Sequence, residues 1–273
     1  MIFNILDVFN NTLTQMTLTF NKYQGAGNDF IIIDNRKGII NPSGSVLINR
    51  LCDRRFGIGA DGLILISGHP DADFEMKYFN SDGKIGSMCG NGGRCTAHFT
   101  LKHKIAGKKQ RFMAFDGIHE AEVNDDIVRL QMTDIKEYKI IEGNYFINTG
   151  SPHYVVFTNG IDAMDVNAEG RKLRWSPLFA PGGTNVNFVE LREKGLYLRT
   201  FERGVEEETL ACGTGVTASA IASVLKGHFD TAPVRVKARG GDLEVDFKIV
   251  DGKIMNVWLT GPATFVFEGE ISI

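Results

Sequence analysis

MCGNGGRC, at Met88 to Cys95, and ACGTGV, at Ala211 to Val216, are two versions of one device. Each is Cys-Gly-x-Gly leading into a run that reads as a helix, so each cysteine is expected where a loop turns into a helix N-terminus. There the unpaired N–H groups of the first turn, with the helix dipole behind them, favour a thiolate over a thiol and can hold a carboxylate. The glycines let those N–H groups face inward as an anion-binding nest with no Cβ in the way. Two such thiols in two halves of one chain suggest a matched pair.

The likeness extends to both sides of the cysteines. Phe79-Asn80 precedes Cys89 and Phe201-Glu202 precedes Cys212, through the polar spacers SDGKIGSM and RGVEEETLA, which differ in length by one residue. Each following helix is expected to stop at a glycine, Gly107 in the first case and Gly227 in the second. The run VTASAIASVL, Val216 to Leu225, carries no charge on any side, and a helix apolar all round is normally enclosed by other structure. The flanking segments read as strands. The economical picture is an internal duplication, with a helix wrapped by sheet in each half.

At 273 residues the chain suits about two domains, each able to bury a core without disulfides or metals. A net charge of −3 and an ordinary composition point to no nucleic-acid partner. No stretch approaches the roughly 18 apolar residues of a membrane span. The first fifteen residues, MIFNILDVFNNTLTQ, contain no Lys or Arg and make a poor signal peptide. They are expected to be a disordered leader, and the protein is expected in the cytoplasm. Four cysteines in that setting are expected as reduced thiols. Cys89 and Cys95 fall on different faces of a helix of about 3.6 residues per turn, with no companion Cys-x-x-Cys or paired His, so no metal is expected. Cys52 and Cys95 read as buried small hydrophobes.

Alternation and apolar runs predict strands at Thr17 to Gln24, Phe30 to Asp34, Leu63 to Ile66, Phe74 to Tyr78, Arg111 to Phe115, Ile118 to Val123 and Ile127 to Met132. A short helix is expected at Asn49 to Phe56. Thr133 to Asn144 is polar and broken by Gly143, and is the candidate domain boundary. Further strands are predicted at Tyr145 to Thr149, His153 to Thr158, Val186 to Leu191, Leu196 to Phe201, Val234 to Ala238, Leu243 to Val250 and Ile254 to Leu259, with Thr264 to Glu268 after a turn at Gly261-Pro262. A helix is expected at Arg171 to Phe179. Many short strands and few helices favour an α+β fold over a doubly wound parallel sheet. The glycine motifs lack dinucleotide-binding spacing, and the basic stretch Lys102 to Lys109 reads as a solvated helix end.

Two cysteines set in this way can be read in several ways. A redox pair normally lies close in sequence, and a cysteine hydrolase needs one reactive thiol and a base. A racemase or epimerase needs two acid/base groups on opposite faces of one carbon, and two homologous halves facing a cleft supply them. A free thiol, with a pKa of about 8.5, is a modest base for a weakly acidic α-proton. The site must therefore make a thiolate and also stabilise charge flowing into the substrate carboxylate. Backbone N–H groups of Gly90, Asn91, Gly213 and Thr214, converging from two helix ends, are placed for the second task.

GAGND, FNSDG, MCGNGGRC, GTNVNF, FERG and ACGTG, in that order from Gly25 to Gly215, resemble the diaminopimelate epimerase family, with the match running from Thr17 to the C-terminus. The resemblance implies a cofactor-free epimerase interconverting LL- and meso-diaminopimelate for lysine and peptidoglycan-precursor synthesis. It implies two pseudo-symmetric strand-rich domains, each a barrel-like sheet around a central helix, with the active site in the cleft between them: residues 16–133 with a returning strand at 262–273, and residues 134–261. Carried over by position, Cys89 and Cys212 are the acid/base pair, and His153 and Glu202 are also placed in the catalytic set. Asn28, Asn80 and Asn185 resemble substrate-binding amides, Glu202 with Arg203 the pair that recognises the non-reacting amino-acid end, and Gly90, Asn91, Gly213 and Thr214 the carboxylate cradle. Gly62 stands where many members have glutamine, and Ser151 where asparagine is common. Ser151 keeps a hydrogen-bonding group, whereas Gly62 has none to offer.

Taken singly, an Asn in a turn serves backbone geometry more often than a ligand, and Glu202-Arg203 alone would be a surface pair. Their joint occurrence in order reverses that reading. The alternatives are a proline or hydroxyproline racemase-type enzyme, which needs no second amino-acid subsite, and a thiol redox-switch binding protein. A homodimer is left open.

Overall fold

The computed structural model describes residues 16–273, so the leader expected at 1–15 lies outside the described residues. The first half is built from β1 (Thr17–Gly25), β2 (Asn28–Asp34), α1 (Ser45–Cys52), β3 (Gly62–Ser67), β4 (Phe74–Asn80), α2 (Gly90–Lys102), β5 (Lys109–Ala114), β6 (Gly117–Asn124) and β7 (Ile127–Gln131). The second half contains β8 (Tyr138–Ile141), β9 (Asn144–Asn148), β10 (Pro152–Phe157), α3 (Val166–Arg174), β11 (Asn185–Arg192), β12 (Gly195–Glu202), β13 (Glu207–Thr209), α4 (Gly213–Leu225), β14 (Val234–Ala238), β15 (Gly241–Val250) and β16 (Lys253–Pro262), with β17 (Thr264–Ser272) last.

The pairing repeats between halves. Steps β1–β2, β2–β3, β3–β4 and β4–β5 are antiparallel, parallel, antiparallel and parallel, and β5–β6–β7 is an antiparallel meander. Steps β9–β10, β10–β11, β11–β12 and β12–β14 follow the same alternation, and β14–β15–β16 is again a meander. The duplication read from two cysteine motifs therefore extends through the whole sheet. The counterparts β7 and β16 pair with each other, Leu130 opposite Leu259, and join both halves into one 17-stranded sheet. At the far edges β17 pairs with β1 and β8 with β9.

Each cysteine helix is enclosed by the sheet of its own half: α2 touches β1, β2, β4, β6 and β7, and α4 touches β9 to β12, β14 and β15. This accounts for the uncharged α4, buried along Val216 to Ser223. Alternation along the strands then covers both faces. Phe30, Ile32, Ile64 and Ile66 belong to the main core around the helices, whereas Ile31, Ile33, Leu63 and Leu65 pack in a second cluster with Ile48 and Leu51 of α1. In the second half Val186, Phe188 and Phe201 pack with Val166 of α3. Strands covered on both faces read as continuous apolar runs, and each such side chain contributes about 1.5–3 kcal/mol by leaving water.

Several boundaries differ from expectation for local reasons. The first short helix ends at Cys52, not Phe56, because Asp53 Oδ1 accepts from Arg55 N and Phe56 N, both at 2.7 Å, and turns the chain out of the helix. The helix expected at 171–179 spans Val166–Arg174, capped by Asp165 Oδ1 accepting from Ala168 N at 3.0 Å, and a single 3₁₀ turn follows at Pro177–Phe179. α2 stops at Lys102, ahead of Gly107. The polar stretch 133–144 contains β8, which forms a hairpin with β9 over Glu142-Gly143, both at positive φ. Gly261-Pro262 is not a turn: both residues pair with β7 and end β16, where the missing proline N–H is tolerated.

Candidate active site

Cys89 and Cys212 are the N-caps of α2 and α4, with nearly identical extended backbones (φ −106°, ψ 117° and φ −115°, ψ 111°). The two helices, each 13 residues long, point their N-termini at one another. A Cβ on Gly213 would lie 3.5 Å from Gly90 Cα and press on Leu259 Cδ2 at 3.0 Å. Glycine at this position lets the two first turns meet.

A cleft of about 820 Å³ opens at this junction, lined from both halves. Every site residue named from the sequence lines it except His153: Asn28, Asn80, Cys89, Gly90 and Asn91 from the first half, and Asn185, Glu202, Arg203, Cys212, Gly213 and Thr214 from the second. A separate groove of about 770 Å³ along β12, β14 and β15 holds none of them.

Around Cys89 the contacts lead outward to charge. Its Sγ accepts from Gly92 N at 3.5 Å and lies 3.7 Å from Asn28 Oδ1. Asn28 donates Nδ2 to Asp61 Oδ2 at 2.6 Å, and Arg54 holds Asp61 at 2.8 Å and Asp29 at 2.7 Å. Lys22 also pairs with Asp29 at 2.7 Å. Asn91 ties the halves together, donating to Ala211 O at 3.0 Å while its Oδ1 accepts from the fully buried Arg94 at 2.9 Å.

Around Cys212 the contacts lead inward through neutral groups. Its Sγ lies 3.3 Å from Thr214 Oγ1, which is 2.8 Å from His153 Nε2. Ser151 Oγ sits 3.0 Å from the same nitrogen and accepts from Asn185 Nδ2 at 3.2 Å. Asn187 Nδ2 faces His153 Nδ1 at 3.0 Å and Tyr154 O at 3.5 Å, while its Oδ1 accepts from Thr200 Oγ1 at 3.0 Å. That amide orientation makes Nδ1 the acceptor, so the ring proton is on Nε2 and points to Thr214 and Ser151. His153 is fully buried behind the cleft wall, and burial pushes its pKa down to about 3, so it is neutral.

Asn185 Oδ1 accepts from Arg203 N at 2.8 Å and Nδ2 also donates to Pro152 O at 2.8 Å, so its amide holds the backbone that presents Arg203. Glu202 accepts from Thr209 Oγ1 at 3.0 Å and has no ion-pair partner among the described residues. Burial and the carboxylate of Asp61 raise its pKa against that hydrogen bond.

The thiolate expected from the helix termini is not the resting form. Burial pushes the Cys89 thiol up to about 11, outweighing the Gly92 and Asn91 N–H groups, and Glu202 adds to the rise. Cys212 is raised further, by burial and then Glu202, against Thr214 and Gly215. Desolvation of the charged form exceeds what a helix terminus returns, and both groups are thiols at neutral pH.

Sequence reasoning passed over Asp61, Asn187 and Thr200. Asn187 carried a signal, since it lies two residues beyond Asn185 on the same face of a strand. Asp61 carried none, because its partner Asn28 is distant in sequence.

The diaminopimelate epimerase family model matches residues 20–136 and 145–266. A diaminopimelate epimerase from Flavobacterium psychrophilum is 49% identical over 252 residues, covering 92% of this chain and 98% of that protein. One from Chlorobaculum tepidum is 44% identical, covering 91% and 99%. Among solved structures, a phenazine biosynthesis protein of the PhzF family from Bacillus anthracis superposes with a TM-score of 0.77 at 16% identity, covering 94% of this chain and all of that one. A hydroxyproline epimerase from Agrobacterium vitis gives 0.65 at 13%, covering 94% and 93%. At such identities these two structures speak for the fold alone, while the family model and the sequence relatives carry the assignment: the chain belongs to the diaminopimelate epimerase family of isomerases.

Proposed function

We propose that this protein interconverts LL- and meso-2,6-diaminopimelate by a two-base thiol mechanism with no cofactor, serving lysine and peptidoglycan-precursor synthesis in the cytoplasm. The carrying observation is the pair of cysteines at matched helix N-termini, one from each half, in a single cleft. We divide the chain accordingly, into 16–133 with 262–273 and 134–261.

In this reading one sulfur, as thiolate, removes the α-proton while the other, as thiol, delivers a proton to the opposite face. The carbon inverts, no electrons are transferred, and the protonation of the two sulfurs is exchanged. Since burial holds both groups as thiols, the substrate's ammonium is the charge that favours ionising one of them on binding. Backbone N–H groups of Gly90, Asn91, Gly213 and Thr214 hold the reacting carboxylate as negative charge grows. Glu202, Arg203 and Asn80 receive the non-reacting end, with Asn28 at the wall beside Cys89. His153 touches no cleft surface, and its role is to position Thr214 at Cys212. A proline-type racemase would have no use for Arg203 at the cleft, and a redox switch would have no use for the carboxylate cradle.

The test is incubation of reduced protein with LL-diaminopimelate in D₂O without pyridoxal phosphate. Deuterium at the α-carbon with formation of the meso isomer is expected. A folded, reduced sample that exchanges proline or hydroxyproline but not diaminopimelate would overturn the substrate assignment.

A further inference from the structure

The duplicated sheet allows the two cleft walls to be compared position by position. Val186 pairs with Phe201 as Leu63 pairs with Phe79, so Asn185 and Glu202 correspond to Gly62 and Asn80. On the second wall Asn185 offers an amide. On the first wall Gly62 offers nothing, and the space it leaves is taken by Tyr78, two residues before Asn80 on β4. A Cβ on Gly62 would run into the Tyr78 ring, come within 2.9 Å of its hydroxyl and also strike the Phe79 backbone oxygen at 2.6 Å. On the other side a Cβ on Gly86 would lie 2.5 Å from Tyr78 Cδ1 and 3.3 Å from Asn80 Nδ2. Two glycines therefore flank the ring, and its inner edge rests on Phe30, with centroids 6.0 Å apart at 76°.

The phenol lines the cleft, and its hydroxyl makes no hydrogen bond among the described residues. A half-buried phenol normally finds a partner for its O–H. Burial raises its pKa, with Cys89, Asp61 and Glu202 adding to the rise, so it is a neutral donor beside the N–H groups that Asn80 and Arg203 bring to the same cleft. Glu202, which has only the Thr209 hydroxyl as a partner among the described residues, suits an ammonium. The feature of an amino-acid end that needs a donor is its carboxylate.

We propose that the Tyr78 hydroxyl is a substrate-binding donor that takes the carboxylate of the non-reacting amino-acid end, supplying from β4 the polar contact that Gly62 cannot. This rests on the epimerase reading above, and Gly62 and Gly86 are then the residues that let the ring lie in place.

The test is steady-state epimerisation of LL-diaminopimelate by Tyr78→Phe, which removes one oxygen and leaves the ring packing. The expected result is a KM raised about 5- to 30-fold with kcat within about twofold and an unchanged Tm. A site built to hydrogen-bond loses affinity when one partner is deleted. A fall in kcat at constant KM would place the hydroxyl at the reacting carbon and overturn the proposal, as would unchanged kinetics in Tyr78→Phe. Wild-type protein assayed in parallel separates the two levels: if it does not turn over diaminopimelate, the epimerase reading fails, whereas active wild type with an unaltered variant defeats only the role given to Tyr78.

Discussion

The two halves of the cleft share a backbone and differ in what stands behind each sulfur. Gly92 and Gly215 occupy the third position after Cys89 and Cys212, and a Cβ on the first would meet Ile64 Cδ1 at 3.2 Å, whereas on the second it would strike Asn187 and lie 3.3 Å from the His153 ring. By strand register, Phe30 and Ile64 in the first half correspond to His153 and Asn187 in the second. Cys89 thus has an apolar floor and a charged network at the cleft mouth, while Cys212 has a neutral relay in its floor and no charge within it. Duplication preserved the position of the two thiols, and divergence separated their chemistry. Burial raises both thiols, and Glu202 adds to the rise of each.

Removing either sulfur has the largest expected effect on the cleft. Cys89→Ala and Cys212→Ala are each expected to lower epimerisation by about 10²–10⁴-fold, and the double variant to lose little more, because the pair acts as a unit. Each single variant should still exchange α-hydrogen for deuterium in one stereoisomer without inverting it, and the two variants should choose opposite isomers. Exchange into both isomers by either variant would mean that one thiol reaches both faces.

The relay behind Cys212 is the next target. Thr214→Val removes the hydroxyl that can donate to Sγ at 3.3 Å, with the Nε2–H of His153 satisfying its oxygen. A roughly tenfold lower kcat is expected, together with a shift of the activity profile to higher pH. An unshifted profile would show that Thr214 serves only the carboxylate cradle. On the other wall, Asp61→Asn keeps a hydrogen-bond partner for Asn28 but removes a charge that Arg54 already neutralises at 2.8 Å. Since a solvated ion pair contributes about 1 kcal/mol or less, only a change of a few fold in kcat/KM is expected. A loss as large as that of Thr214→Val would make the two relays equivalent and erase the asymmetry.

What the sequence disclosed follows from what each signal measures. The enclosed helices were legible because α4 carries no charge and both cysteine motifs have glycines at the first turn, and the strands were legible because buried alternation is a local property. α1 and α3 are displaced because Asp53 sets the end of one and Asp165 the start of the other through local side-chain hydrogen bonds. β8, with Tyr138 and Ile140 exposed, offered too little apolar face to be seen. In the site, motif order gathered the cleft residues but not their supports, because Asn28–Asp61 and His153–Asn187 are tertiary contacts. The sign of the thiol shift was misjudged for a related reason: a helix terminus is visible in sequence, and the degree of burial that outweighs it is not.

The smallest effect concerns stability, and it separates the two walls by pH. His153 is an ordinary imidazole when unfolded, near 6.5, and is pushed down to about 3 when folded. Below 6.5 the unfolded chain therefore binds a proton that the folded chain refuses, and stability falls as pH falls, by at most about 1.4 kcal/mol per unit for one group. Asp29, held well below its ordinary 3.8 by Arg54 and Lys22 against its own burial, has the opposite charge but the same slope in a different window. Its contribution is complete above about pH 4 and is lost only as pH drops through its folded value. His153→Gln, which cannot titrate, should flatten the difference in Tm between pH 6.5 and pH 4.5 relative to wild type, and Asp29→Asn should lower Tm by a constant amount above about pH 4 and flatten only the limb below it. If His153→Gln instead follows the wild-type curve between 6.5 and 4.5, the imidazole is not held neutral. The proton on Nε2 would then no longer be fixed by Asn187, and the neutral relay proposed for Cys212 would lose its origin.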